Sequence, residues 1–185
     1  MNLPNKITIG RMFIAPIFLA IYLAGIDHKF LISAIIFALG AITDALDGRI
    51  ARKNHIVTNF GKLLDPIADK MLVTAGLLAF MKDDLCSIWF VMIILTRDFA
   101  VTSLRMIAAS QNSVIPANIG GKIKTVVQMV SFIVIMVLCE ISGTYSLGFN
   151  MSLVSNILMG ITAVISVASG MIYIVNGWKI INFDK

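Results

Sequence analysis

The stretch DALDGRIARKNHIVTNFGKLLDPIAD, Asp44 to Asp69, holds four aspartates in two pairs, and each pair adjoins a long apolar run. Asp44 and Asp47 are three residues apart, whereas Asp65 and Asp69 are four apart. Because an α-helix returns to the same face every three or four residues, each pair is predicted to share one helix face. Carboxylates beside membrane-length apolar runs are costly, so these aspartates mark a candidate functional site.

Very small residues accompany the acids. Gly48 and Ala51 share a stripe with the first pair, and Gly61 shares one with the second. If the two helices are antiparallel neighbours joined by the polar turn 53–59, the four carboxylates meet near one end of the hairpin and require cations. Hard oxygen ligands favour Mg²⁺ or Mn²⁺ over zinc, and the small residues leave room for a bulky ligand.

The composition predicts an integral membrane protein. Of the 185 residues 58% are hydrophobic and 14% are charged, with a mean hydropathy of +0.93. A soluble domain has about a quarter of its residues charged. The formal net charge of +5 comes from basic residues that flank the apolar runs, which indicates membrane topology rather than nucleic-acid binding. No linker divides the chain, so residues 1–185 are expected to form a single domain.

The apolar runs predict an all-α fold, a bundle of six transmembrane helices preceded by a short interfacial segment, Met1–Arg11. Each run is near the ~20 residues that a bilayer requires. The first could instead be a signal peptide, but the multispanning remainder favours an uncleaved anchor. The expected spans are about Ile9–Ala24, Phe30–Ala51, Phe60–Met81, Leu85–Ala108, Gly120–Ile141 and Met151–Gly177.

The distribution of basic residues predicts the orientation. Lys29 and Lys82 are the only basic residues in the turns after spans one and three, and the other 13 of the 15 lie toward the opposite face. The positive-inside rule makes that opposite face cytosolic, in the cytoplasmic membrane. Both termini and all four aspartates are then expected on the cytosolic side.

The acidic stretch resembles the signature of the CDP-alcohol phosphotransferase family, D-x-x-D-G-x-x-A-R, eight residues, then G-x-x-x-D-x-x-x-D. The resemblance implies two Mg²⁺ or Mn²⁺ ions held by the aspartates, with Asp69 also acting as the base. It further implies a CDP site at the small residues and the arginine, and a homodimer. The signature positions are Asp44, Asp47, Gly48, Ala51, Arg52, Gly61, Asp65 and Asp69.

An ion-pair network is the structural alternative for these acids. It would pair them with the nearby cations Arg49, Arg52, Lys62 and Lys70. A network of this kind does not require glycine and alanine at helical spacing beside the acids, so the functional interpretation is favoured.

A second, cationic cluster lies downstream of the acids. Arg97 and Arg105 are eight residues apart in one span, and Lys122 and Lys124 begin the next. These segments, and the opening pattern Asn2 to Arg11, resemble the branch of the family that makes phosphatidylglycerophosphate. That resemblance implies that Arg97, Arg105 and Lys122 bind the phosphate of glycerol 3-phosphate. For Arg105 and the lysines, a role as topological anchors is equally compatible with the pattern.

The resulting prediction is a metal-dependent membrane enzyme of phospholipid biosynthesis. It would transfer a phosphatidyl group from CDP-diacylglycerol to glycerol 3-phosphate, giving phosphatidylglycerophosphate and CMP. Within the same chemistry, phosphatidylglycerol, serine or an inositol phosphate are alternative acceptors. A divalent-cation transporter is the alternative from another class, since intramembrane acids can also form an ion path.

Overall fold

The computed structural model describes residues 3–54, 59–111, 118–145, 148 and 150–178, and within these ranges the chain forms six α-helices and no strand. The side chains of residues 3–8, 44–54, 59–66 and 69 lie outside the description. The helices are α1 (Leu3–Leu23), α2 (Lys29–Asn54), α3 (Asn59–Lys82), α4 (Ile88–Ser110), α5 (Ile119–Tyr145) and α6 (Met151–Trp178).

The prediction of one helix for each apolar run is confirmed, with two differences at the boundaries. The first is that no separate segment precedes the first helix among the described residues, because α1 is continuous from Leu3. Pro4 lies in the first turn of α1, where a missing backbone N–H costs nothing. The expected interfacial position of residues 1–11 stays a prediction.

The second difference is that α4 begins at Ile88 rather than near Leu85. Asp84 adopts a left-handed backbone (φ 55°), its N–H donates to the Met81 carbonyl (3.4 Å), and the Leu85 N–H donates to the Phe80 carbonyl (2.8 Å). This pair of bonds is a Schellman motif, which terminates α3 and turns the chain. The buried Leu85 side chain therefore belongs to the turn rather than to α4.

Contacts between the loops show that successive helices run in opposite directions. At one end, the Lys29 ammonium lies 3.2 Å from the Asp83 carboxylate, joining the start of α2 to the end of α3. At the same end the Ser152 hydroxyl donates to the Asp84 carbonyl (2.7 Å), bringing in the start of α6. The other end, called here the motif end, carries the last turns of α2 and the first turns of α3. The alternation expected for a six-helix bundle is thus present.

An aromatic cluster forms the centre of the core. The Phe132 ring of α5 lies edge-on to Phe37 of α2 (centroids 5.0 Å apart) and to Phe80 of α3 (5.2 Å). Phe18 of α1 meets Phe37 at 5.6 Å. All four rings are fully buried. Edge-to-face contacts of this kind add about 0.5–1.5 kcal/mol per pair beyond the burial of area, so this cluster fixes how α1, α2, α3 and α5 pack together.

Small residues of α6 face its neighbours inside the chain. A Cβ on Gly160 would meet the Phe90 ring of α4 at 3.3 Å, and the Thr162 hydroxyl lies 3.2 Å from that of Ser131 in α5. Gly160 and Thr162 serve the interior, where they let α4 and α5 approach closely.

Apolar side chains also cover much of the outside. The side chains of Trp89, Ile119 and Val164 are 70% or more exposed. The surface of a soluble protein rarely exposes large apolar patches. By length and composition, Ile119–Tyr145 and Met151–Trp178 qualify as membrane spans, and the described parts of α1 and α2 contain the shorter apolar segments Ile9–Leu23 and Lys29–Thr43. The exposed surface and the long apolar helices identify a membrane protein.

A histidine link closes the end of the bundle opposite the motif end. His28 Nδ1 lies 2.6 Å from Glu140 Oε1, and the Leu31 N–H donates to the other oxygen of that carboxylate (3.3 Å). The hydrogen bond to Glu140, and then the charge of its carboxylate, raise the pKa of His28 above its ordinary value of 6.5. A raised pKa stabilises the folded state when the histidine is protonated.

We therefore expect the link to add stability below pH 6.5, and to lose that contribution as the pH rises through the raised pKa of His28. At pH 6 the wild type should have a higher thermal midpoint than His28→Gln. This difference between the two midpoints should become smaller as the pH is raised to 9. Glu140→Gln is the matched control, because it removes the partner carboxylate and should flatten the same profile. A difference that stays constant with pH would contradict the assignment.

Candidate functional site

The acidic motif lies in the helical parts of α2 and α3, on either side of a short connection. Only residues 55–58 separate Asn54 from Asn59, so the two helix ends are at most roughly 18 Å apart. Asp47 lies seven residues before the end of α2 and Asp65 six residues after the start of α3, which is roughly 9–11 Å along each helix. The backbone therefore places both acid pairs at similar depth at one end of the bundle.

A close approach of α2 to α3 lies one turn from the acids. A Cβ on Gly40 would fall 2.8 Å from Cδ2 of Leu72 and 3.3 Å from Cγ2 of Ile14 in α1. Gly40 is four residues before Asp44, and Leu72 is three residues after Asp69. The absence of a side chain at Gly40 thus brings α1, α2 and α3 together next to the motif, as the antiparallel arrangement predicted from the sequence requires.

The side chains of the motif lie outside the described part of the structure. This holds for the predicted metal ligands and base, and for the predicted CDP-binding residues, so their assignment stays a prediction. These residues are Asp44, Asp47, Asp65, Asp69, Gly48, Ala51, Arg52 and Gly61. Among the side chains that are described, no group of three or more His, Cys, Asp or Glu is placed to hold a metal ion.

A buried ion cluster lies directly beside the motif, around Asp98 of α4. The Lys124 ammonium of α5 donates to both oxygens of the Asp98 carboxylate at 2.6 Å, and Nη1 of Arg97 donates to one of them at 3.0 Å. Lys70 of α3, the residue after Asp69, has its ammonium 3.9 Å from the same carboxylate. With the Asp98 side chain 1% exposed and that of Lys124 4% exposed, the cluster is shielded from solvent.

Arg97 is held in place by α6 and by Asp98. Its Nε donates to the Ser166 carbonyl (3.1 Å), and its Nη2 donates to the Ser169 hydroxyl (2.8 Å). A Cβ on Gly170 would lie 2.7 Å from Cγ of Arg97, so glycine at this position makes room for the arginine. Three of the five guanidinium N–H groups are used in this way, and the other two remain for a ligand.

The other predicted acceptor residues occupy different surroundings. Arg105 and Lys122 are exposed, and the side chain of neither has an ion pair or hydrogen bond with another described residue. No described contact brings them to Arg97. Lys122 and Lys124 are two residues apart, about 200° around a helix, so only one of them can face Asp98. The lysine that does so is Lys124, which the sequence placed in the cationic cluster but not among the residues expected to bind the acceptor.

Sequence reasoning passed over Asp98 entirely. The available signal was an acid in the middle of an apolar run beside an arginine, which by itself indicates a buried pair. Arg11 of α1, which formed part of the resemblance at the start of the chain, is also buried, at 2% exposure. The motif end therefore combines the four aspartates of the acidic motif with four buried or half-buried cations: Arg11, Lys70, Arg97 and Lys124.

Such an arrangement suits a doubly charged phosphate ester together with metal ions. The donor set of four carboxylates fits Mg²⁺ or Mn²⁺, which prefer hard oxygen ligands. Lysine and arginine next to that set provide charge-assisted hydrogen bonds to phosphate oxygens. Helices α2 and α3 carry the acids, and the buried or half-buried cations come from α1, α3, α4 and α5.

Comparison with known proteins finds relatives that match most of the chain. A family model for CDP-alcohol phosphatidyltransferases matches residues 1–170. The chain is 45% identical over 142 residues to a CDP-diacylglycerol--glycerol-3-phosphate 3-phosphatidyltransferase of Bacillus subtilis (strain 168), covering 70% of this chain and 74% of that protein. It is 34% identical over 172 residues to a protein of the same name in Rickettsia typhi, covering 93% of this chain and 94% of the relative. A probable phosphatidylglycerophosphate synthase of Mycobacterium tuberculosis is 42% identical over 134 residues, covering 70% of this chain and 63% of that protein.

Proposed function

Because the chain belongs to the CDP-alcohol phosphatidyltransferase family, we propose that it transfers a phosphatidyl group from CDP-diacylglycerol to glycerol 3-phosphate. The products are phosphatidylglycerophosphate and CMP. The observation that carries the proposal is the complete acidic motif, held in helical parts of α2 and α3 at one end of the bundle. Relatives that cover most of the chain are named for this reaction.

In this proposal all six helices cross the cytoplasmic membrane, with the motif end on the cytosolic side. Three features support it: the alternating helix directions, the apolar outer surface and the concentration of basic residues at the motif end. The water-soluble substrate glycerol 3-phosphate and the CMP product would then enter and leave from the cytosol. A homodimer is also proposed, from the resemblance.

The reaction is a displacement at phosphorus. A hydroxyl of glycerol 3-phosphate attacks the phosphorus that carries the diacylglycerol oxygen, the bond from this phosphorus to the CMP oxygen breaks, and CMP leaves. Asp69 takes the proton of the attacking hydroxyl, while Gly48, Ala51, Arg52 and Gly61 hold the CDP group. Two Mg²⁺ or Mn²⁺ ions, when bound by the four aspartates, would neutralise the charge of the diphosphate.

The acceptor side uses the cations of α4 and α5. Arg97 retains two unused N–H groups, and its position is held by α6 and Asp98. Arg105 and Lys122 lie exposed at the same end of these helices, where they attract a phosphate monoester from the cytosol. In this assignment Asp98 and Lys124 do not bind the acceptor themselves, but fix the helix that carries Arg97.

A product assay tests the proposal directly. Purified protein receives CDP-diacylglycerol, Mg²⁺ or Mn²⁺ and one acceptor at a time: glycerol 3-phosphate, glycerol, serine, an inositol phosphate or phosphatidylglycerol. We expect CMP release with glycerol 3-phosphate and far slower release with the others. Comparable rates with unphosphorylated glycerol would contradict the choice of acceptor. Cation transport without nucleotide turnover would contradict the enzyme class.

The acceptor assignment predicts an effect for Arg105→Ala and Lys122→Ala. Removing a charge-assisted contact to the acceptor phosphate should lower kcat/KM for glycerol 3-phosphate by roughly 30- to 1,000-fold, the effect of losing about 2–4 kcal/mol. The KM for CDP-diacylglycerol should stay nearly unchanged. Both side chains are exposed, so the thermal midpoint should move little.

Arg97 requires a different test, because alanine there also removes the bonds to Ser166, Ser169 and Asp98. Arg97→Lys keeps the positive charge and is the conservative variant.

A defect in Arg105→Ala or Lys122→Ala that is confined to CDP-diacylglycerol would remove these residues from the acceptor site.

A further inference from the structure

The Asp98 carboxylate contacts cations from three different helices. Its Oδ1 accepts from Nη1 of Arg97 in α4 at 3.0 Å, and both of its oxygens accept from the Lys124 ammonium of α5 at 2.6 Å. The Lys70 ammonium of α3 lies 3.9 Å from Oδ2. The Asp98 side chain is 1% exposed, so salt and water screen these contacts little. One carboxylate therefore connects α3, α4 and α5 inside the bundle.

Lys70 links this carboxylate to the helix that carries the second acid pair. It directly follows Asp69 in α3, and its position beside Asp98 fixes how α3 is rotated about its axis. Asp65 and Asp69 are four residues apart on the same helix, so one rotation of α3 sets the direction of the face that they share. Asp98 can therefore act on the acidic motif through Lys70.

The same carboxylate holds the residue proposed to bind the acceptor phosphate. Arg97 donates to Oδ1, whereas Lys70 lies beside Oδ2, so each of the two cations meets a different oxygen of one rigid group. Next to this contact an apolar cavity of about 590 Å³ lies between parts of α3 and α4 that include Thr74 and Phe99. The ion pair of Lys70 with Asp98 therefore sets the separation of α3 and α4 at the level of the motif.

The proposed reaction makes that separation important. The acceptor extends from its phosphate, at Arg97 of α4, to its attacking hydroxyl, at Asp69 of α3. One methylene group more or less in the acceptor moves its hydroxyl by roughly 1 Å. A misplacement of about 1 Å can cost about 10²-fold in rate. A fixed separation of the two helices therefore selects the length of the acceptor.

We infer that Asp98 is a positioning residue that selects the distance between hydroxyl and phosphate in the acceptor, by holding Lys70 of α3 and Arg97 of α4 at a fixed separation. The inference rests on the proposed function, because it states which members of the proposed class of acceptor are used. In this role Asp98 contacts neither the acceptor nor a metal ion. Its effect is therefore a change in selectivity among acceptors and not only a loss of rate.

The test compares three phosphate monoesters that differ in length: 2-hydroxyethyl, 3-hydroxypropyl and 4-hydroxybutyl phosphate. The three-carbon compound has the same spacing between phosphate and terminal hydroxyl as glycerol 3-phosphate. All three carry the same phosphate and use the same metal site, so a change in either affects them equally. The variants are Asp98→Asn and Lys70→Met. Asp83→Asn is the matched control, because it breaks the ion pair with Lys29 at the other end of the bundle.

For the wild type we expect kcat/KM to be about 10²-fold higher with the three-carbon acceptor than with either of the others. Asp98→Asn and Lys70→Met should each reduce this ratio by about tenfold or more, whereas Asp83→Asn should leave it unchanged. Lys70→Arg keeps the positive charge and should retain more of the selectivity than Lys70→Met. The Lys70 side chain is 18% exposed, so its variants should fold even if Asp98→Asn does not.

A second measurement follows the separation of the helices without turnover. Nitroxide labels are attached at Ile67→Cys of α3 and Ser103→Cys of α4, two exposed positions that line the cavity between these helices. The native Cys86 and Cys139 are buried and should not react. Dipolar broadening between the labels should show a wider range of distances in both variants of the ion pair than in the wild type or the control.

An unchanged length ratio in Asp98→Asn and Lys70→Met would overturn the inference, and so would an unchanged separation of the labels. An equal loss for all three acceptors would also overturn it, because these residues would then contribute only to binding of the phosphate. A wild type inactive toward every phosphate monoester would contradict the proposed function together with the selection for length. In that case the label distances would still decide whether Asp98 sets the separation of α3 and α4.

Discussion

Asparagine at Asp44, Asp47 or Asp65 is expected to lower phosphatidyl transfer by about 10²- to 10³-fold, because each change removes one charged oxygen ligand from the proposed metal site. The loss corresponds to roughly 3–4 kcal/mol of transition-state stabilisation. Binding of divalent ions should weaken in parallel. Each acid lies inside a long helix and asparagine has nearly the same shape as aspartate, so circular dichroism of the purified variants should remain that of the wild type.

The Asp69→Asn variant tests whether Asp69 acts as the base or chiefly as a metal ligand. A base matters to turnover, so kcat should fall by at least ~10²-fold while the affinity for CDP-diacylglycerol is largely kept. An equal loss of nucleotide binding would make Asp69 chiefly a metal ligand. Full turnover by Asp44→Asn, Asp47→Asn or Asp65→Asn at limiting metal would remove that residue from the ligand set. The measurements are Mg²⁺ and Mn²⁺ titrations followed by steady-state kinetics for each variant.

The largest effect on stability is expected for Asp98→Asn. The variant keeps the shape of the side chain but leaves the Lys124 ammonium, 4% exposed, without the carboxylate that now accepts from it at 2.6 Å. Leaving one partner of a buried pair uncompensated costs about 3–5 kcal/mol. The unfolding free energy in detergent micelles, measured with a denaturant, should fall by that amount.

Asp83→Asn is the matched control at the other end of the bundle. The Lys29–Asp83 pair has side chains 30% and 24% exposed, so its loss should cost no more than about 1 kcal/mol. The double variant Asp98→Asn with Lys124→Met removes the isolated charge and should recover part of the stability. If Asp98→Asn proved as mild as Asp83→Asn, the cluster would not hold α4 to α5.

The local sequence predicts much of the secondary structure of this protein. A run of about 20 apolar residues becomes a helix whose length the bilayer sets, so the helices lie close to the expected positions. The exceptions are α1, which begins earlier, at Leu3, and α4, which begins after a turn, at Ile88. The turn residues that shift it, Asp83 to Leu85, gave no decisive signal, because a left-handed aspartate is permitted but not required. The spacing of the four aspartates likewise needs only the helical repeat to pair them.

The tertiary structure decided which side chains face one another. Helices α4, α5 and α6 are apolar on nearly every side, so their periodicity does not say how each is rotated about its axis. Lys124 rather than Lys122 meets Asp98, and Arg97 reaches Ser166 and Ser169, because packing against neighbouring helices sets those rotations. The aromatic cluster of the core has the same origin, since its rings come from α1, α2, α3 and α5. The sequence by itself determined the helices, most of their ends and the acidic motif, all of which depend on neighbours within a few residues. The buried cations and the aromatic cluster depend on contacts between distant segments, and only the packed bundle specifies those.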